Sequence, residues 1–369
     1  MNIDAGWRFE LGDFDHARAP GFDDQKWRIV DLPHDWSIEG TPHPDNPAQA
    51  GGGFFPGGLA WYRKDLPIPV DLGEHRVLIE FDGVYMNSEV WCNGHFCGRR
   101  PYGYSSFCYD ITPFVTPGEN AVLAVRVDNS RQKNSRWYSG SGIYRHVWMT
   151  TVAPMHVDHW GTFVTTPEVD DERAVVECEV SLSNYQDASA SVEIIPSLTG
   201  PDGAKISFAG CETVTCNLQP EKPTSSVDVA LRNRHSASGT KSPVSLSLEI
   251  SNPQLWSPDA PNLYSLQLEV RRDGQVMDTY TTRFGIRTIR FDADRGFFLN
   301  GHNMKLKGVN EHHDAGCLGA AVPDDVIRRR FRILKAMGCN AIRVAHNPAS
   351  PTFLDLCDEM GFMVVEDAF

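Results

Sequence analysis

The sequence predicts a multidomain chain of β plus α/β class: a jelly-roll sandwich, an immunoglobulin-like β-sandwich, and the first strands and helices of a truncated TIM (β/α)8 barrel. Three observations predict it. Short strands of alternating apolar and polar residues, broken by Gly, Pro, Asn and Asp, fill residues 1–152. A second series with the same period of two fills residues 153–287. From 288 to 369 the period changes, and three short apolar strands alternate with two capped helices.

In the first unit, His75–Phe81, Ser88–Asn93 and Ala121–Asp128 read as strands. In the last of these, Leu123, Val125 and Val127 share one face while Val122, Ala124 and Arg126 share the other, as a half-buried sandwich strand requires. Asn93-Gly94 between apolar runs marks a type I′ hairpin. Trp7, Trp27, Trp61 and Trp91 fit a sandwich core better than a sugar-stacking surface. In the second unit, Ala174–Leu182 turns Val176, Cys178, Val180 and Leu182 to one face. Val244–Ile250, Tyr264–Arg271 and Asp278–Arg283 repeat its length, as expected of a seven-stranded immunoglobulin-like sandwich. The stretch 219–243, rich in Ser, Thr, Pro and Asn, reads as a loop edge with one short strand near Val227–Leu231.

The third unit places strands at Met304–Asn310, Asn340–Ala345 and Phe362–Asp367. Pro323 opens the first helix, and Asp324 and Asp325 suit its positive N-terminal end. Ile327, Phe331 and Leu334 form its apolar stripe, and Gly338 closes it. Ser350-Pro351 supplies the cap and first position of the second helix, Phe353, Cys357 and Met360 its stripe, and Gly361 its end. A barrel takes roughly 250 residues to close, so residues 288–369 are expected to hold only its opening.

Composition narrows the function. The chain has 369 residues and a net charge of −14, from 34 basic and 48 acidic side chains, which argues against a nucleic-acid surface. No run of 18 apolar residues suggests a membrane span, and the N-terminus lacks the basic and apolar regions of a signal peptide. A cytoplasmic location is expected, or a periplasmic or secreted one if a leader has been removed. The nine cysteines contain no CxxC pair, so reduced structural thiols are expected and no metal site. The basic run Arg328, Arg329, Arg330, Arg332 and Lys335 fits the solvated face of a barrel helix.

Strand parity selects a site. In Asn340–Ala345, Ala341, Arg343 and Ala345 share one face and Ile342 and Val344 the other, so Arg343 points into the barrel. A guanidinium there is tolerable only near the open C-terminal rim, where barrel enzymes place their active sites. His346 and Asn347 follow this strand. Asn310, Glu311, His312, His313 and Asp314 stand at the same level after the first strand.

Eight segments carry a resemblance: Trp61-Tyr-Arg-Lys64, Asp82-Gly-Val-Tyr-Met-Asn87, Arg136-Trp-Tyr-Ser-Gly-Ser-Gly-Ile-Tyr-Arg145, Leu255-Trp-Ser-Pro258, Lys307-Gly-Val-Asn-Glu-His-His313, Met337-Gly-Cys-Asn-Ala-Ile-Arg343, His346-Asn-Pro348 and Leu356-Cys-Asp-Glu-Met-Gly361. In this order they resemble glycoside hydrolase family 2, especially its bacterial β-galactosidase branch. The resemblance implies a sugar-binding jelly roll, an immunoglobulin-like linker domain and a TIM-barrel hydrolase, acting on terminal β-linked sugars with retention through an acid/base Glu and a nucleophile Glu. The family places these on the fourth and seventh barrel strands, so neither belongs to this chain, which is expected to be inactive alone. Glu311 and Glu366 do not match those positions. For substrate binding, the resemblance implies Arg343, His346 and His313, with Asp35 on a loop that leans over the barrel mouth. Asn347 and Asp314 join them as rim neighbours. Some relatives hold an Asp for the sugar in the loop where this chain has Arg136. The expected partner is a carbohydrate, a β-galactoside or related sugar, with no cofactor and with homo-oligomers allowed. A non-catalytic carbohydrate-binding protein and β-glucuronidase or β-mannosidase specificity are the alternatives.

Overall fold

A computed structural model describes residues 1–220 and 243–367. The strand expected near Val227–Leu231 lies outside the described residues. The first unit packs a six-stranded sheet, in the order Arg28–Val30 (β2), Trp7–Leu11 (β1), Gly58–Pro67 (β3), Asn120–Asn129 (β8), Ser88–Cys92 (β5), His95–Arg100 (β6), on a three-stranded one. The latter runs Phe107–Asp110 (β7), Arg76–Phe81 (β4), Val147–Val152 (β9). Their shared core takes Leu123, Val125 and Val127 of β8 together with Trp7, Val77, Ile79, Phe81 and Val90. The other face of β8 is covered as well: Ala124 packs with Trp27, Trp61 and Trp91 in a second cluster, closed by Phe14 and Phe22. All four tryptophans are therefore buried core, as expected of sandwich residues. Asn93 and Gly94 turn the β5–β6 hairpin with φ of 49° and 79°, both in the region a type I′ turn needs.

The second unit faces Met155–Val169 (β10), Arg173–Asn184 (β11), Val244–Ser251 (β16) and Ala209–Gly210 (β14) against a second sheet. That sheet comprises Lys205–Ile206 (β13), Ala190–Thr199 (β12), Tyr264–Arg272 (β17) and Gln275–Phe284 (β18), with Val214–Leu218 (β15) on β12. Val176, Cys178, Val180 and Leu182 all lie in its core. The described residues give nine strands rather than seven, because β13 and β14 are two-residue pairings beside the main sheets.

A small hairpin sheet, Ile289–Asp292 (β19), Gly296–Leu299 (β20) and His302–Asn303 (β21), leads to the third unit. Here Gly308–Glu311 (β22), Ala341–Val344 (β23) and Met363–Glu366 (β24) form a parallel sheet, with helices Asp324–Ala336 (α1) and Pro351–Met360 (α2) between them. Ser350 caps α2, its hydroxyl accepting the Phe353 amide at 3.2 Å. Pro323 sits one position earlier than expected, at the cap itself with ψ of 147°, because its extended backbone lies outside the first turn. Leu356 rather than Met360 completes the buried stripe of α2 beside Phe353 and Cys357.

The barrel segment is docked on both sandwiches. Trp256 is buried between the second sandwich and the barrel sheet, packs with Leu299, Ala341 and Met363, and donates from Nε1 to the carbonyl of Asp358 at 2.9 Å. Lys335 Nζ bridges the carbonyls of Pro258 and Gly361 at 2.8 and 2.9 Å. Gly361 is required there: its φ is 74°, and a Cβ would stand 2.3 Å from the Pro258 carbonyl oxygen. Gly361→Ala is therefore expected to cost about 2 kcal/mol from the left-handed backbone and the clash together. Urea unfolding checks this, and an unchanged midpoint contradicts it.

Candidate functional site

The parity of β23 is as the sequence suggests. Ile342 and Val344 are fully buried against Ile327, Phe331, Leu334 and Phe353 of the helices. Ala341 faces the opposite way, toward Met363 and Trp256. Arg343 therefore lies on the inner face, level with Val365 of β24. Two residues beyond Val365, Asp367 accepts from Arg343 Nη2 at 2.5 Å, and its Oδ2 lies 3.1 Å from His346 Nδ1. The Arg343 and His346 side chains keep 38% and 39% of their surface exposed, so the guanidinium and imidazole remain open to a ligand. His346 lies 5.1 Å from the ring of Trp137, which the first sandwich lowers onto the mouth, and 5.3 Å from His312. A donor fork, an imidazole and an aromatic face beside one carboxylate suit a polyhydroxyl ligand, whose hydroxyls both donate and accept.

His313 stands behind this surface. Its ring meets Tyr104 and Tyr144 edge-on, Nε2 lies 3.2 Å from the Ser139 carbonyl, and Nδ1 lies 3.4 Å from the Asn347 amide nitrogen. Those partners assign the neutral tautomer with the proton on Nε2. Burial pushes its pKa down to about 3. Asn347 is wholly buried, so it braces His313 and does not reach the ligand surface expected of it. Asp314 is half-buried, its carbonyl held by Arg330 at 2.6 Å and its carboxylate near the Tyr138 phenol.

Asp35 also departs from expectation. It is 2% exposed and its carboxylate is fully engaged. Oδ1 accepts the amides of Ser37 and Ser141 at 3.0 and 2.9 Å, and Oδ2 accepts the Tyr138 hydroxyl and the Ala320 amide at 2.5 and 2.9 Å. Burial raises its pKa above the usual carboxylate value, and the four donors oppose that rise. No lone pair is left for a sugar, so Asp35 fastens loops of the first sandwich to the barrel loop instead. Gly319 makes room for it: φ is 56°, and a Cβ would lie 2.4 Å from Oδ2.

The two remaining glutamates turn outward. Glu311 shares the helix-covered face with Val344 and pairs with Arg330 of α1 at 3.1 Å. Glu366 shares that face too and accepts the Ala349 amide at 2.6 Å. Neither approaches the inner surface. Among the described residues, no group of three or more His, Cys, Asp or Glu side chains could hold a metal ion. The most buried thiols are pushed up in pKa, Cys92 to about 12, which suits packing rather than nucleophilic work.

Sequence reasoning passed over Asp367, Trp137 as an individual side chain, Tyr104 and Arg145. Arg145 is buried and donates to four carbonyls, those of Asp82 and Tyr104 in its own sandwich and of Pro348 and Ala349 in the barrel. Beside it His146 bridges Asp4 at 2.6 Å and Asp324, in the first turn of α1, at 3.1 Å. The hydrogen bond to Asp4 leads the causes that raise its pKa to about 9.

Two outcomes follow from these contacts. Asp35→Ala strands three amides and a hydroxyl, so a loss of about 3 kcal/mol or more is expected in urea unfolding; a loss below about 1 kcal/mol contradicts the clamp. The two histidines give opposite pH limbs. His313 contributes stability that is complete above its ordinary pKa of 6.5 and is lost as pH falls toward 3, because the unfolded ring takes a proton the folded ring refuses. His146 contributes stability that is complete below 6.5 and is lost as pH rises toward 9. The urea midpoint should fall between pH 6.5 and 9, and His146→Gln should flatten that limb; an equally steep limb in the variant excludes the assignment.

Known proteins bear on the same three units. The sequence matches the sugar-binding domain of glycosyl hydrolases family 2 over residues 3–153, glycosyl hydrolases family 2 itself over 155–287, and the family's TIM barrel domain over 292–369. A β-galactosidase of Bacteroides ovatus is 48% identical over 369 residues, all of this chain but 41% of that protein. A putative β-glucuronidase of Formosa agariphila is 36% identical, again over all of this chain and 33% of its own length. Among solved structures, a β-glycosidase from Bacteroides vulgatus superimposes with a TM-score of 0.87 at 38% identity, covering all of this chain and 44% of that one. The chain thus spans less than half the length of these relatives. With every described unit matched in order, by sequence and by structure, this chain belongs to glycoside hydrolase family 2.

Proposed function

We propose that this chain forms the sugar-holding side of a retaining β-glycosidase active site, that the sugar is a terminal β-galactosyl unit, and that the chain alone does not cleave it. The observation that carries this reading is the inner rim: Arg343, His346 and Trp137 converge there around Asp367. Retaining hydrolysis needs two carboxyl groups about 5–5.5 Å apart, one as nucleophile and one as acid/base. Asp367 is engaged by Arg343 and His346, while Glu311 and Glu366 are turned to the helices. The rim binds and orients but has no carboxylate pair to break a glycosidic bond.

The choice of galactose rests on the 48% identical relative named a β-galactosidase. The 36% identical relative named a putative β-glucuronidase supports a glucuronide as the second reading. Titration calorimetry with phenyl β-galactoside and phenyl β-glucuronide separates the two. Saturable binding of the galactoside is expected, with no release of nitrophenol from the nitrophenyl galactoside. Arg343→Ala should weaken binding at least about tenfold, as loss of a charged hydrogen bond does, and His346→Ala should weaken it too. Turnover by this chain overturns its assignment as a binding part, and unchanged affinity in both variants overturns the site.

A further inference from the structure

The loop that lowers Trp137 onto the barrel mouth carries three cations within six residues, Arg131, Lys133 and Arg136, all exposed. None of them has an ion-pair or hydrogen-bond partner for its side chain among the described residues. Arg126 pairs with Asp13, Arg283 with Asp355 and Glu359, and Arg330 with Glu311, whereas Arg18, Arg99, Arg329 and Arg332 are exposed and, among the described residues, as unpaired as these three, so what distinguishes the loop cations is their place beside Trp137. A chain of net charge −14 does not need unpaired cations for solubility, because its acidic excess already supplies self-repulsion.

The loop backbone is fixed although its charged ends are free. Asn129 is buried; its amide donates to the Gly140 carbonyl and the Ser141 hydroxyl, and its Oδ1 accepts from Gln132 and Asn134 at 2.9 and 2.6 Å. Ser135 donates to the Trp137 carbonyl at 2.6 Å, and Gly51 packs on the Arg136 backbone, where a Cβ would stand 3.4 Å from Cα. Trp137 in turn donates to the Tyr104 hydroxyl at 2.9 Å and reaches His346. The loop that carries the three cations is thus held by its backbone, and it ends in Trp137 on the surface that would hold the sugar.

We propose that Arg131, Lys133 and Arg136 select glycans in which the unit attached to the bound sugar carries an anionic group, a carboxylate or a sulfate. The proposal rests on the sugar-holding reading of Arg343 and His346 and adds the chemical class of what lies beyond that sugar. Cations on a pre-positioned loop attract such a group without reordering the chain, and the attraction weakens with salt because the side chains stand in water.

The test uses the whole chain and three probes that share one sugar: phenyl β-galactoside, 4-carboxyphenyl β-galactoside and 4-sulfophenyl β-galactoside. At low salt the charged probes should bind about tenfold tighter than the neutral one, as roughly 1.4 kcal/mol of added attraction gives, and the advantage should shrink at 0.5 M salt. Replacing Arg131, Lys133 and Arg136 together by Ser should abolish the advantage and leave phenyl β-galactoside affinity unchanged, which also shows that the variant is folded. If only one charged probe gains, the group is that one. Equal binding of all three probes overturns the proposal alone, as does an advantage that survives in the triple variant. Equally tight binding of 4-hydroxybenzoate, which has the charge without the sugar, also overturns it. Failure of every galactoside to bind overturns the sugar-holding reading and this proposal with it.

Discussion

The Asp35 carboxylate draws four donors from three places in the chain, and the geometry of the mouth depends on it. Ser37 belongs to one loop of the first sandwich, Tyr138 and Ser141 to the loop that carries Trp137, and Ala320 to the barrel segment before α1. Burying a charge costs several kcal/mol unless its lone pairs are satisfied. Here all are satisfied at once, and only when the loops and the barrel stand in this one relation. Arg145 does the complementary work with a buried cation, donating to carbonyls on both sides of the same junction. Trp137 can meet His346, and Ser139 can meet His313, because these two ions fix the sandwich against the barrel.

A division of labour among acidic side chains follows from strand parity. On β22 and β24, alternate positions face either the helices or the barrel interior, so Glu311 and Glu366 are committed outward and Asp367 inward. The outward pair strengthens the layer between sheet and helices through Arg330 and the Ala349 amide. The inward one holds Arg343 and His346 in place on the inner rim. His313, kept neutral by burial, adds a second layer of support and no charge.

Much of this was readable from sequence. Period and punctuation locate the two sandwiches and the barrel opening, and the alternation Ala341, Arg343, Ala345 puts the arginine inside because small residues on one face and branched apolar residues on the other can pack only one way round. The same parity would have found Asp367, two positions beyond Val365. Asp35 was misread for a physical reason. A carboxylate next to His34 and Trp36 gives no local sign of whether its donors are sugar hydroxyls or backbone amides, and one of those amides, that of Ala320, comes from 285 residues away. Asn347 and Arg145 raise the same difficulty, since burial at a junction between units is set by tertiary contacts that no local pattern records. Pro323 missed its place by one residue because proline is compatible with both the cap and the first turn.

On the reading proposed above, the junction of sandwich and barrel presents a preassembled sugar-holding surface. A crystal structure of this chain soaked with D-galactose tests it most directly. The sugar is expected beside Trp137, with hydroxyls within hydrogen-bond distance of Arg343 and His346 and with the contacts of Asp35 and Arg145 unchanged. Galactose bound elsewhere on the first sandwich with the Arg343 surface vacant, or a sugar that displaces the Asp35 donors to bind that carboxylate itself, would contradict it.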